Sequence, residues 1–320
     1  MKVGVLLFNL GGPETLQDVK PFLYRLFSDP EIIRIKWGPA RKALAYTIAT
    51  LRRKKSEGYY RQIGGGSPLR RLTEEQARAL AGELRSRGKD VETFVGMCTW
   101  RPFLSEAIER IEKSDIESLV ILPLFPQYSV TTTGSGFAAL RSLIDTRPSF
   151  KKRAVQWVRS WSDQPSYIGS FEQSIRRELA KFSNPDSVHI LFSAHSIPES
   201  YVRNGDPYLE QTKKTMELIM ERLGGRNPNQ LSFQSKIGPV KWLAPLTNDV
   251  IVQLGKQGIR DVLVVPISFV SEHVETLYEL DILYKKVAEE AGITNFRRVP
   301  TLNSDPAFIR ALAEIVESRL

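Results

Sequence analysis

The chain has 320 residues, 42% of them hydrophobic and 25% charged, with a formal net charge of +9. That length suits two domains of ordinary size, and the composition excludes a disordered or low-complexity chain. No apolar run reaches the ~18 residues that a membrane-spanning helix needs. One cysteine, Cys98, excludes an internal disulfide, a zinc ribbon and an iron–sulfur cluster, and a lone thiol fits a reducing cytoplasm.

Taken in order, strand-like runs fall at 3–9, 91–96, 118–124, 153–158, 187–193, 231–235, 261–268 and 296–299. The first of these is short and has no small-residue cleavage site behind it, so it reads as a buried strand and not as a signal peptide. Helical patterns alternate with the strands at 14–28, 73–87, 103–113, 134–144, 165–181, 206–223, 247–257, 274–290 and 304–319. Thr73 and Gln76 have the spacing of a capping box, and Gly88 stands where that helix should stop. Leu119–Leu124 and Val262–Ile267 are continuously apolar, as strands of a parallel sheet covered on both faces are. The pattern predicts an α/β fold, doubly wound.

Charge is concentrated in one segment. Between Arg25 and Thr73 twelve Lys and Arg stand against three acidic residues, which carries the whole of the net charge, while the remainder balances. Trp37, Leu44, Tyr46, Ile48 and Leu51 share helix-compatible spacing there. The segment suits an anionic membrane surface or an anionic ligand, and equally a plain solvated helix face. Nucleic acid is the competing partner, and no nucleic-acid motif supports it.

The two halves echo each other. Val5–Thr15 resembles His189–Ser200 with one inserted residue, Phe94…Trp100 resembles Phe233…Trp242, and Leu119–Phe125 resembles Val262–Ser268. Three correspondences in one order indicate a duplicated unit. The expectation is therefore two similar Rossmann-like domains, 1–160 and 161–320, each a parallel sheet flanked by helices. A cleft between them would lie at the C-terminal strand ends.

Three histidines are present. His189 lies early in a strand and reads as structural. His195 follows Phe192-Ser193-Ala194 in a post-strand loop, and His273 holds the matching place after a later strand. Glu272, Glu275 and Glu279 are spaced to stack three carboxylates on one helix face, where like charges raise one another's proton affinity. An imidazole from one loop and a carboxylate from another could remove protons from a ligand or hold a divalent metal with open positions. Gly64-Gly65-Gly66-Ser67-Pro68 could lay amides against an anion but matches no nucleotide fingerprint. Thr131-Thr132-Thr133-Gly134-Ser135 would cap a helix, and Gly205-Asp206-Pro207-Tyr208 reads as a turn and a helix start.

Together these stations resemble ferrochelatase over nearly the whole chain. They are Asn9–Pro13, Tyr60–Pro68, Pro126–Ser129 with Thr132–Ser135, Phe192–Pro198, Gly205–Tyr208, Gln234–Pro239 and Ser271–Leu277. The resemblance implies insertion of ferrous iron into a porphyrin, protoporphyrin IX by preference, with loss of two pyrrole protons and bending of the macrocycle. It implies that His195 and Glu275 act as catalytic and metal-binding residues, with Glu272, His273 and Glu279 as secondary acidic and polar positions. Leu10, Tyr60, Ser67, Tyr128 and Trp242 are expected to line the substrate cleft, Arg34 or Arg52 to meet the propionates, and residues 25–60 to form an apolar lip. Iron is then a substrate, with no tightly bound cofactor and no nucleic-acid partner. The expected location is the cytoplasm, with peripheral contact to an anionic membrane. A chelatase for coproporphyrin III or another metal or tetrapyrrole, and a non-catalytic tetrapyrrole-binding protein, are the alternatives. One departure stands out: Cys98-Thr99 occupies the place of the family's usual Arg-Tyr pair, with Arg101 as the available substitute cation.

Overall fold

A computed structural model of the chain describes residues 2–238 and 240–320. Its contacts divide it into two compact units, one running to Ser160 and including Leu312–Leu320, the other Trp161–Ala311. The sequence groups those last nine residues with the second half. Their packing decides otherwise: Leu312 and Val316 are fully buried, and Glu317 pairs with Arg87 of the first unit at 2.8 Å.

Each unit holds a four-stranded parallel sheet. In the first, β1 (Val3–Asn9), β2 (Val91–Met97), β3 (Ser118–Pro123) and β4 (Ala154–Trp157) lie in the order β2-β1-β3-β4. In the second, β5 (His189–His195), β6 (Asn229–Gln234), β7 (Asp261–Val265) and β8 (Asn295–Arg298) lie in the order β6-β5-β7-β8. The second order is the first displaced by four strands, which is the topology a duplication leaves. Central strands β1 and β3 are buried along their whole length, as their apolar runs require with helices on both faces.

The backbone sets the correspondence differently from the letters. Leu124 N–H donates to Phe8 O at 2.9 Å, and its counterpart Ile267 N–H donates to Ser193 O at 3.2 Å. Likewise Met97 N–H reaches Pro102 O and Phe233 N–H reaches Pro245 O, at 2.7 and 2.9 Å. Phe8 is therefore matched with Ser193 and not with Phe192, and Met97, not Phe94, is the counterpart of Phe233. Counting on from Phe8, Leu10 takes the place in the first unit that His195 takes in the second.

Three local expectations change. Thr73 does not cap a helix: the helix runs Leu69–Ser86, and the buried Thr73 hydroxyl donates back to Leu69 O at 2.8 Å from inside it. Strand β5 extends to His195 because its ladder with β6 continues to the pair His195 and Gln234. The segment after β7 is a π-helix, Glu275–Tyr284, continued by the α-helix Lys285–Glu290. A second π turn, Val130–Gly134, follows β3, so both units carry one after the corresponding strand. Ser129 Oγ caps it by accepting Thr131 N–H at 3.3 Å.

The basic segment forms the helix Gly38–Gln62. It buries a stripe of small residues, Ala45, Ala49 and Ser56, ending on Tyr60, while Trp37, Leu44, Tyr46 and Leu51 stay exposed. Among the described residues no helix is long and apolar enough to cross a membrane.

His189 begins β5 with its Nε2 buried and without a hydrogen-bond partner, and this burial pulls its pKa below the usual imidazole value. An unfolded imidazole binds a proton below about pH 6.5, and the folded one resists to lower pH. The unfolded chain therefore binds more protons in that window, so this part of the stability falls as pH drops. His189→Val is expected to flatten the difference between urea midpoints measured at about pH 7.5 and about pH 5.5.

Candidate active site

Three adjacent strand ends of the second unit carry the histidine and glutamates singled out from the sequence. β5 ends on His195, β6 ends on Gln234 beside it, and β7 leads through Pro266–Ser271 into Glu272, His273 and the π-helix. This is the C-terminal edge of a parallel sheet, where side chains leave the ladder and point beyond it.

His195 is half-buried, and its Nδ1 lies 2.6 Å from Ser196 O. A carbonyl only accepts, so Nδ1 carries the proton and Nε2 keeps its lone pair. Burial pulls the His195 pKa below its usual value, and His273 adds to that, while the Glu275 carboxylate and the Ser196 carbonyl oppose it. The net direction leaves the imidazole neutral at pH 7. The structure thus brings His195 and Glu275 within electrostatic reach of each other. The closest titratable partner of Glu275 is nevertheless His273, whose Nε2 lies 3.0 Å from Glu275 Oε2. Phe269 packs against both histidines, its ring centroid 6.2 Å from that of His195 and 4.4 Å from that of His273. His273 Nδ1 is buried without a hydrogen-bond partner.

The expected ridge of three carboxylates is not what forms. Glu272 precedes the helix and turns to Arg298 Nη1 at 2.9 Å, to Thr301 N–H at 3.1 Å and to the Thr276 hydroxyl. Burial would raise its pKa, but Arg298, Thr276 and Thr301 outweigh that and hold it below the usual carboxylate value. Glu279 turns the other way, accepting Gln234 Nε2–H at 2.9 Å and the Ser235 hydroxyl. Gln234 Nε2 also donates to Glu275 O at 2.8 Å, which ties the first turn of the π-helix to the end of β6. Each carboxylate has partners of its own, and the repulsion inferred from their spacing is relieved. Among the described residues no group of three or more His, Cys, Asp or Glu side chains could hold a metal ion.

In the first unit, the loop at Gly11-Gly12-Pro13 lies against Gly66-Ser67: Ser67 N–H donates to Pro13 O at 2.7 Å. A Cβ at Gly12 would stand 2.5 Å from Ser67 Oγ, and one at Gly66 2.0 Å from Glu14 O. Leu10 is half-buried beside this loop. Tyr60 is buried, and Tyr128 folds back on its own π turn with Arg159 over its ring at 4.7 Å. Trp242 belongs to the second unit, half-buried, its main chain bridged to Pro198 and its Nε1 buried without a partner. Arg34 pairs with Glu31 at 3.5 Å, and Arg52 Nε is buried without a partner.

A family model described as Ferrochelatase matches residues 2–320. The chain belongs to the ferrochelatase family. The ferrochelatase of Gloeothece citriformis is 52% identical over 320 residues, covering 100% of this chain and 83% of the relative. That of Nostoc punctiforme is 52% identical over 316 residues, covering 98% and 81%. Two solved structures share the fold: SirB of Bacillus subtilis with Fe3+ and a multi-domain Deinococcus radiodurans protein with structural similarity to chelatases. SirB gives a TM-score of 0.57 at 11% identity, covering 100% of this chain and 96% of that one. The second gives 0.56 at 14% identity, covering 99% of this chain and 54% of that one, so this chain spans about half of it.

Cys98 is a half-buried free thiol. Burial, with the Asp29 carboxylate adding to it, pushes its thiol pKa up to about 12. Arg101, expected as a substitute cation, is largely exposed and pairs with Glu106 at 2.5 Å. Sequence reasoning also missed Arg298, whose guanidinium binds Asp281 at 2.7 Å through both Nε and Nη2 while holding Glu272. No local signal marks it, since it is one basic residue in a short strand. Arg298→Gln is expected to cost about 3 kcal/mol in chemical denaturation, because it strands the buried Glu272 carboxylate against protein.

Proposed function

We infer that this chain inserts ferrous iron into a porphyrin to form haem, with His195 as the proton acceptor and Glu275 beside it as the carboxylate that helps place the metal. The observation that carries this reading is the bare Nε2 of a neutral His195, fixed by its Nδ1–H bond to Ser196 O and set beside the His273–Glu275 pair. Family membership supports it.

The chemistry asks for two things. A free porphyrin carries two pyrrole N–H protons that must leave as Fe2+ enters, giving haem and two protons. A base must therefore be unprotonated at working pH and must offer a lone pair to the pyrrole N–H, and the unprotonated Nε2 of His195 supplies one. The metal must also be led to the ring without being trapped. A carboxylate already sharing a hydrogen bond with His273 holds a cation less tightly than an open cluster of acids would. Glu272, neutralised by Arg298, lies outside that task, and Glu279, held by Gln234 and Ser235, is the next carboxylate along the helix. Binding energy spent on bending the macrocycle exposes the nitrogen lone pairs and lowers the barrier.

His195→Ala is expected to abolish iron insertion while leaving far-ultraviolet circular dichroism unchanged, and near-wild-type insertion by that variant would remove His195 from the mechanism. In the wild type, insertion should fall only as pH drops through the depressed His195 value, below the ordinary 6.5 or so, because protonation there fills Nε2. Anaerobic loss of porphyrin fluorescence measures both.

The exposed Trp37, Leu44, Tyr46 and Leu51, on a helix rich in Lys and Arg, support a second element of the proposal, peripheral contact with an anionic membrane. Cosedimentation with vesicles containing phosphatidylglycerol should exceed that with neutral vesicles. It should drop for the double variant Trp37→Ser, Leu51→Ser, and equal binding by both chains would exclude this face.

A further inference from the structure

Gly205-Asp206-Pro207-Tyr208 does what a turn should: Asp206 Oδ1 accepts Tyr208 N–H at 3.0 Å and opens the helix Tyr208–Leu223. The far end of Tyr208 does something a turn has no need of. Its hydroxyl donates to the main-chain carbonyl of His195 at 2.8 Å, closing the base of the loop that runs out between the two residues. Tyr208 is buried, and burial raises its phenol pKa, so the hydroxyl keeps its proton to donate.

That carbonyl is one end of the peptide joining His195 to Ser196. The other end, Ser196 N–H, donates to Gln234 O at 2.9 Å. The peptide before it is held as well, His195 N–H donating to Ser268 Oγ at 2.9 Å. The imidazole has a single tether to the strand, its own Cα, and its proton position is set by the contact of Nδ1 with Ser196 O. That acceptor lies just beyond the peptide that Tyr208 grips. If the peptide turns, Ser196 O swings away from Nδ1 and the ring is free to exchange tautomers. Gln234 holds only the N–H end of that peptide, and the Tyr208 hydroxyl is what holds its carbonyl end.

We propose that Tyr208 is a positioning residue, whose hydroxyl locks the His195–Ser196 peptide and so keeps the His195 imidazole in its Nδ1–H form with Nε2 bare. The inference rests on the reading of His195 as the base. It extends that reading to a residue that does not touch the reacting atoms.

Tyr208→Phe keeps the ring in its packing and removes the hydroxyl, which is the donor to His195 O and also contacts Ser268 and Thr212. Its kcat for iron insertion should fall about tenfold, with the porphyrin KM changed by less than about twofold, since alignment is lost and binding is not. Nitrogen-15 spectra at neutral pH give a readout independent of turnover. The chain has three histidines, so spectra of the His189 and His273 variants assign the lines of His195 by elimination. Wild-type His195 should show a protonated Nδ1 and a bare Nε2, and Tyr208→Phe a mixture of the two tautomers. A Tyr208→Phe chain with unchanged His195 signals and kcat within about twofold of wild type would overturn the proposal. A wild type that shows the Nδ1–H form but inserts no iron would overturn the functional reading alone. Should the variant not fold, wild-type protein carrying carbon-13 at tyrosine Cζ decides. In mixed light and heavy water a buried, bonded Tyr208 hydroxyl gives two resolved lines, and one averaged line would count against the lock.

Discussion

A single hydrogen bond, from His195 Nδ1–H to the carbonyl of Ser196, fixes what the rest of the site can do. A carbonyl cannot donate, so the bond chooses the tautomer and leaves the other ring nitrogen as a base. The neighbouring backbone contacts hold the peptides on which that bond depends. The ladder between β5 and β6 carries the histidine to the edge of the sheet, and Tyr208, Ser268 and Gln234 fix the peptides on either side of it. Partial burial then keeps the ring uncharged where water would let it protonate.

The carboxylates show how tertiary partners divide labour among residues that look alike. Glu272, Glu275 and Glu279 are close in sequence, yet one is neutralised by a buried guanidinium, one bonds a histidine and one accepts from an amide and a hydroxyl. Arg298 is the hinge of this arrangement. It binds Glu272 ahead of the π-helix and Asp281 within it, so it fixes the segment that presents His273 and Glu275. A buried pair of this kind adds little net stability over an apolar substitute, so its placement here is better understood as setting geometry.

The duplicated units sharpen the contrast. Strand order, the π turn after the third strand and the backbone bonds that close the second strand recur in both halves. The chemistry does not recur. Leu10 stands in the first unit where His195 stands in the second, and the π turn there carries threonines where the other carries acids. Repetition of the framework with divergence of its strand ends puts His195 and the three glutamates in one unit.

Hydrophobic periodicity was enough to announce the alternating α/β order, because apolar runs and helical stripes are local properties of the chain. The ordered motifs from Asn9-Leu10-Gly11-Gly12-Pro13 to Ser271–Leu277 were enough to mark the family that the whole-chain match shows, since short motifs survive in the letters. Other features were not legible. Helix-like spacing could not reveal a π-helix, which is chosen by the partners of its turns, nor that Thr73 lies inside a helix whose start is four residues earlier. The alignment of the halves slipped by one residue at Phe8 because hydrogen-bond register, and not letter identity, sets equivalence. Proton position on His195, the capture of Glu272 by Arg298 and the grip of Tyr208 arise from contacts between residues distant along the chain. They exist only once the strands are laid side by side, because hydrogen bonds and ion pairs act over a few ångströms of space, whatever the separation in sequence.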